Sequence, residues 1–356
     1  MILKECFSNE FIESKAGVNI EVKKTYEKVV HAFYLLEKLS DSGLNFIFKG
    51  GTSLMLLLKE FNRFSVDIDI LMEKDTEKEV DLILKNFEGE VFTKVEEDIR
   101  KTKDIIKKHY KFYYKTIYPN NHQLSYVLLD IVFDDYSYQN LNERTIESDF
   151  VKTTNPLLSV KIPSIDEMLG DKLTAFAPNT IGILYRQTNQ LFTKYVEIVK
   201  QLYDISKLLD HMKDINVVKE TYNSIANIQM KNRNLEISNN DCLIDSINTC
   251  KLILSQGKKG DSFEKYDYLM KGYDGFKHYT VSKFKHSDFL IAATKTYILC
   301  IKLLCNITQL SNDVEKPINT FIGKQYKYIR QNIGEELYNQ LMRACYLENN
   351  TMNNID

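Results

Sequence analysis

Nowhere does this 356-residue chain run apolar for the ~20 consecutive residues that a bilayer-spanning helix requires. The longest candidates are Leu54 to Leu58, which is too short, and Leu290 to Cys305, which Lys295 and Lys302 interrupt. An integral membrane protein is therefore excluded. A surplus of one charge is also missing: 47 Lys plus Arg stand against 49 Asp plus Glu, a formal net charge of −2. That balance rules out a wholly basic nucleic-acid binder and leaves any such contact to a local patch. The N-terminal stretch MILKECFSNEFIESK has no continuous apolar core after a basic start, so no secretory signal is expected. Cys6, Cys242, Cys250, Cys300, Cys305 and Cys345 include no CxxC pair. His31, His109, His122, His211, His278 and His286 show no H-x-x-x-H spacing. Neither a disulfide framework nor a zinc site is indicated. The cysteines are expected to be small buried hydrophobes in a reducing, cytoplasmic compartment.

What is present is a core-forming composition, 44% hydrophobic against 27% charged. At about 150 residues per domain, the length makes about two domains. Strand-like and helix-like signals mix in the first 165 residues, whereas the remainder has long helical periods and almost no proline. That change of texture predicts an α/β domain followed by a helical one. Asn19 to Ser40 carries apolar residues every three or four positions and reads as a helix, with Gly43 as its stop. Residues 45–72, NFIFKGGTSLMLLLKEFNRFSVDIDILM, read as a strand from Asn45 to Lys49, a glycine break, a helix from Thr52 to Phe61, a turn at Asn62 and Arg63, and a strand from Ser65 to Met72. Leu124 to Phe133 is a hydrophobic strand with one acid, Asp130. Ser164 and Glu167 have capping-box spacing, so a helix should start near Ile165. Tyr195 to Leu209 and Ser287 to Leu310 have helical period, with loops expected at Asn232 to Asn240 and Gly257 to Gly260.

Asp67 and Asp69 stand two apart on the expected strand, and alternation puts both carboxylates on one face. Their neighbours Val66, Ile68, Ile70 and Leu71 are apolar. Like charges held close in such surroundings repel and lose hydration, a need that a hard divalent cation such as Mg²⁺ answers. Gly50 and Gly51 stand where strand turns to helix. Glycine lets the backbone approach an anion, and the first N–H groups of the helix, with the Thr52 and Ser53 hydroxyls, favour phosphate. The helix and its return strand should bring Asp67 and Asp69 back beside that turn, making phosphate and metal sites neighbours. Asp130, in mid-strand, is expensive unless it serves the metal or a proton transfer. Residues 100–118 hold seven Lys or Arg against one Asp, interleaved with Tyr110, Tyr113 and Tyr114. They offer an RNA footing with stacking rings, or simply a solvated face. Lys271, Lys277, His278, Lys283 and Lys285 are a second candidate of the same kind.

The string KGGTSLMLLLKEFNRFSVDIDIL resembles the signature of polymerase-beta-type nucleotidyltransferases. Within that superfamily, Arg63, Ser65, Asp67 and Asp69 (R-x-S-x-D-x-D) are similar to the AbiEii/AbiGii toxin branch, which includes the MenT-type toxins. DEMLGDKLTAFA, with Lys172 and Ala175, resembles the branch's K-x-x-A helix, and KQLYDISKLLD, with Asp204, its R-D-x-x-D helix. The matches span Phe46 to Asp210. The resemblance implies an α+β chain: a nucleotidyltransferase-fold mixed sheet with flanking helices over residues 1–163, then a mainly helical C-terminal domain over residues 164–356. It implies transfer of nucleotides from an NTP to RNA, first of all the tRNA 3′ end, with release of pyrophosphate. It also implies a toxin of an abortive-infection or type IV toxin–antitoxin system, active in phage defence and checked by a cognate antitoxin.

Carried over residue by residue, Gly50, Gly51, Thr52 and Ser53, with Arg63 and Ser65, would hold the triphosphate. Asp67 and Asp69 would bind two Mg²⁺, with Mn²⁺ as the substitute, and Asp130 would be a third metal ligand or the general base. Lys172 would neutralise phosphate charge and Asp204 would assist. One departure stands at Tyr203, where the family has arginine before the aspartate, so Arg186 or Lys200 would have to substitute. Rival readings are nucleotidylation of a small molecule or a protein hydroxyl, and a catalytically silent RNA- or protein-binding module. Residue by residue, the bland alternatives are an exposed edge strand for Asp67 and Asp69, a lysine partner for Asp130, a snorkelling Lys172 and a surface ion pair for Asp204.

Overall fold

The computed structural model describes residues 1–58, 61–99, 106–119, 122–134, 138–185, 194–258, 263–311 and 320–352. The chain divides into two compact units, Met1–Ser164 with His278–Ser282, and Ile165–Lys277 with Lys283–Asp356. The first unit runs α1 (Asn9–Ala16), α2 (Ile20–Asp41), β1 (Ile47–Lys49), α3 (Gly50–Leu57), β2 (Ile68–Met72), α4 (Glu77–Lys85), β3 (Lys94–Glu97), β4 (Ile106–Lys115), β5 (Leu124–Phe133), β6 (Leu141–Thr145) and β7 (Ser159–Pro163). Its strands form one seven-stranded sheet in the order β3-β4-β5-β2-β1-β7-β6. The sheet is mixed: β2 with β5 and β1 with β7 are parallel, and the other neighbours are antiparallel.

The 22-residue α2 begins where the Asn19 side chain accepts the Glu21 N–H, and it packs on β2 and β5. Its three-to-four spacing buries Val29, Val30, Phe33 and Leu36 completely. Each such side chain contributes about 1.5–3 kcal/mol of burial. His31 of the same helix stacks on Tyr114 of β4 at 3.6 Å between ring centres, and its Nδ1 donates to the Glu27 carbonyl at 2.8 Å. Along β5, Val127, Leu129, Ile131 and Phe133 are buried while the residues between them are half-buried, which gives the sheet a core face and an open face. Both outer strands, β3 (KVEE) and β6 (LNERT), carry exposed charges, the usual protection of a sheet edge.

Several expected elements are shorter than their sequence patterns, among them the first strand, which begins at Ile47 and not at Asn45. The helix after the glycines starts at Gly50 and stops at Leu57, because Leu58 turns extended (φ −113°, ψ 118°) and Phe61 and Phe64 are buried outside it. The strand expected from Ser65 begins only at Ile68, since the Asp67 carbonyl accepts the Thr52 hydroxyl at 2.5 Å instead of joining the sheet. Asp67 is thus exposed at the mouth of β2.

The second unit is helical among its described residues: α5 (Ile165–Ala175), α6 (Tyr195–Leu209), α7 (Ile215–Asn232), α8 (Asn239–Leu254), α9 (Phe263–Phe276), α10 (His286–Leu304), α11 (Tyr326–Ile333) and α12 (Glu335–Met352). α5 packs on α6 and α7, and α10 meets α6, α8, α11 and α12. The helix expected to reach Leu310 ends at Leu304, where Asn306 takes a left-handed φ of 56°. All six cysteines are free thiols, five of them buried. No helix among the described residues is long and apolar enough to cross a membrane.

Candidate active site

Register assembles the polar residues of the open face. Lys49 of β1 stands opposite Asp69 of β2, Asp69 beside Asp130 of the parallel β5, and Asp130 opposite His109 of β4. Register partners share a face, so these four residues form one row across neighbouring strands about 4.8 Å apart. All four are half-buried. His109 Nδ1 lies 2.6 Å from Asp130 Oδ1. The partner of Asp130 is thus a histidine and not a lysine. No motif in the sequence singles out His109. The apolar alternation of Tyr110, Phe112 and Tyr114 does turn it toward the open face, but its facing residue depends on a hairpin register that local pattern does not display.

The glycine turn closes on this row. Gly50 has φ +78°, and a Cβ there would sit 1.9 Å from Asp69 Oδ2 and 2.6 Å from its Cγ. Any side chain at this position would displace the carboxylate, and a left-handed φ strains every residue except glycine. Turn and acid, expected to be neighbours, are in contact. A Cβ on Gly51 would meet Arg63 Nη2 at 2.5 Å and Ser65 Oγ at 2.6 Å. Arg63 is only 3% exposed; its Nη1 donates to the Phe64 carbonyl at 3.0 Å, and it lies over the Phe61 ring. Arg63 and Ser65 therefore stand behind the turn. The Ser53 hydroxyl donates to the Gly50 carbonyl at 2.9 Å and, like Thr52, is fully buried. The Ser53 hydroxyl braces the turn itself, and that of Thr52 ties the start of α3 to the Asp67 carbonyl. The groups offered to an anion are the first backbone N–H donors of α3, which have no partner within a helix, and Lys49 provides no side-chain cap there.

Hard carboxylate oxygens at Asp67 and Asp69 suit a divalent cation. Among the described residues no three His, Cys, Asp or Glu side chains converge into a ready metal cage. Mg²⁺ is commonly held by one or two carboxylates together with substrate phosphates. Two acids beside a glycine turn that opens a helix suit a cation of that kind.

In the second unit, Lys172 Nζ lies 3.1 Å from Asp204 Oδ2, with side chains 9% and 0% exposed. This contradicts the snorkelling lysine and the surface ion pair alike: the two charges neutralise each other inside the helical core. Tyr203, where the family has arginine, is buried beside Phe276 and Phe284. Lys200 pairs with Glu197 at 2.8 Å, and Arg186 lies outside the described residues. The basic stretch is corrected too. Its first part, 100–105, lies outside the described residues. Lys108 pairs with Asp81 at 3.0 Å and Lys111 with Asp98 at 3.1 Å. Tyr110 and Tyr114 are buried, because even-numbered positions of β4 face the core, so neither can stack on a base. In the other basic group, Lys271 pairs with Asp267 and Lys277 with Asp274.

A family model described as the nucleotidyl transferase AbiEii toxin of a type IV toxin–antitoxin system matches residues 34–250, well over half of the chain. No curated protein matches. Among solved structures, the chain is similar to JHP933 from Helicobacter pylori, with 15% identity, a TM-score of 0.41, and 79% of this chain and 94% of that one covered. It is also similar to an antigenic nucleotidyltransferase-like protein from Paracoccidioides brasiliensis, with 16% identity, a TM-score of 0.34, and 58% and 89% covered. Both scores lie below 0.5, too loose a likeness to transfer anything to this chain.

Proposed function

The chain belongs to the AbiEii nucleotidyl transferase toxin family of type IV toxin–antitoxin systems, and from this premise we propose that it moves a nucleotidyl group from an NTP to an RNA hydroxyl. The tRNA 3′ end is the acceptor of first choice. The observation that carries the reading is the contact of Gly50 with Asp69, which puts an anion-binding turn against an acid in register with a second acid. The backbone N–H groups at the start of α3 bind the triphosphate. Asp67 and Asp69 would hold Mg²⁺, which when bound would neutralise phosphate charge. An acceptor hydroxyl attacks the α-phosphorus, the bond to the bridging oxygen of the β-phosphate breaks, and pyrophosphate leaves. Of the two roles implied for Asp130, its bond to His109 favours the general base: the carboxylate takes the hydroxyl proton while His109 Nδ1 holds it in place. Lys172 and Asp204 stabilise the helical unit through each other.

The test is incubation of the full chain with Mg²⁺, total tRNA and each NTP labelled at its α-phosphate. Label is expected in RNA with wild type and absent with Asp67→Asn or Asp69→Asn. Labelling of RNA by both variants would overturn the assignment. Label only in a small hydroxylated molecule or in protein would overturn the acceptor.

A further inference from the structure

The loop between α3 and β2 is closed from outside by a segment far downstream in sequence. Phe64 N–H donates to the Tyr279 carbonyl at 2.7 Å, Val281 N–H donates to the Asn62 carbonyl at 3.0 Å, and Arg63 with Thr280 forms the antiparallel bridge between them. His278–Ser282 belongs to the first unit, although the chain enters it from α9 and leaves it for α10. At the centre of this short clamp sits Arg63, whose guanidinium, with Ser65 Oγ, fills the space a Gly51 side chain would need. On the inner side the loop is pinned by buried Phe61 and by Phe64, whose ring meets Tyr26 and Phe150. On the outer side Val281 is 54% exposed, so its contribution is its backbone and not its side chain. Residues 61–67 have no regular secondary structure to fix Arg63 in place. Fixing an irregular residue costs backbone entropy, which the two strap bonds offset.

We propose that Tyr279–Val281 is a positioning strap for the triphosphate turn, with Arg63 as its lever. The strap fixes the Arg63 backbone, the Arg63 guanidinium fixes Gly51, and the N–H donors of α3 are thereby held ready for the nucleotide. Arg63 and Thr280 are positioning residues and touch no substrate. The inference rests on the reading of Gly50–Gly51 as the turn that holds a triphosphate.

Val281→Pro removes the donor to Asn62 and Val281→Ala keeps it; Arg63→Lys keeps the charge but not the fork that packs under Gly51. Amide hydrogen exchange of residues 49–58 is measured on the full chain without nucleotide, and ATP affinity with Mg²⁺ by equilibrium binding. Val281→Pro and Arg63→Lys are expected to speed exchange in this stretch and to weaken ATP binding about tenfold, with the rate at saturating ATP within about twofold of wild type. Val281→Ala is expected to behave as wild type. Unchanged exchange at 49–58 in both variants overturns the strap, and should Val281→Pro fail to fold, Arg63→Lys alone decides. Faster exchange in a protein whose wild type binds no NTP upholds the clamp and overturns the triphosphate reading instead, so the two failures are distinct.

Discussion

Asp204 and Asp69 are both carboxylates in tight quarters, yet the helical unit and the sheet treat them in opposite ways. Asp204 is fully buried, with Lys172 at 3.1 Å. Its charge is met from within the fold, where the Coulombic attraction has to offset the desolvation of both ions. Asp69 is half-buried on the open face, packed against a glycine and in register beside Asp130. Two acids on adjacent strands repel, and both lie half-buried on the side of the sheet away from its core. On the function proposed above, the first arrangement is assigned to stability and the second to chemistry, and substitutions can separate the two.

The largest effect is expected at the sheet. Asp69→Asn keeps the shape, removes a charge, and is expected to cut NTP-dependent labelling by about a thousandfold or more, while the melting temperature stays within a few degrees. Loss of labelling only in step with unfolding would erase the contrast. Next is the helical unit: Lys172→Ala takes the lysine partner from a fully buried carboxylate and is expected to cost about 3–5 kcal/mol in urea unfolding. The double change of Lys172→Met with Asp204→Leu is expected to recover most of that loss, because a well-packed apolar pair can replace a buried ion pair.

The core face of the sheet supplies a third and smaller case, in which a group stays neutral. Burial pushes His31 down from the usual histidine range to about 4. Between the ordinary value of about 6.5 and that folded value, the unfolded chain binds a proton that the native chain refuses, so stability rises with pH through this window. The contribution is complete above pH ~6.5 and is lost as pH falls toward ~4, amounting to about 3 kcal/mol in all. Wild type minus His31→Phe, read from unfolding at several pH values, should show this slope, and parallel curves would refute it. Smallest of all, Lys94→Ala breaks an exposed pair with Glu96 on β3 and is expected to leave the melting temperature unchanged.

Much of the fold could be read from the chain because its patterns are local. The strand, glycine turn, helix and strand of residues 45–72 announce themselves by composition, and β5 and α6 run from Leu124 to Phe133 and from Tyr195 to Leu209 as their periods predict. The family and the mixed-sheet architecture followed from that same segment. What stayed hidden depends on tertiary choices. Asp67 fell outside β2 because a threonine hydroxyl one helix away claimed its carbonyl. Tyr110 and Tyr114 look like stacking rings when the run is read for composition, but they alternate with the basic residues and share the core face with Phe112. His109 met Asp130 through the pairing of two ten-residue strands, and Tyr279 met Phe64 across most of the chain. Neither partner leaves a trace near the other in sequence.

The ladder between β4 and β5 has one more consequence, for how the gene can change length. Because a strand shows its residues to alternate sides, losing one codon between Leu124 and Leu129 would turn Asp130 inward among the aromatics and bring its neighbours out to the solvent. The damage would come all at once, with no graded intermediate.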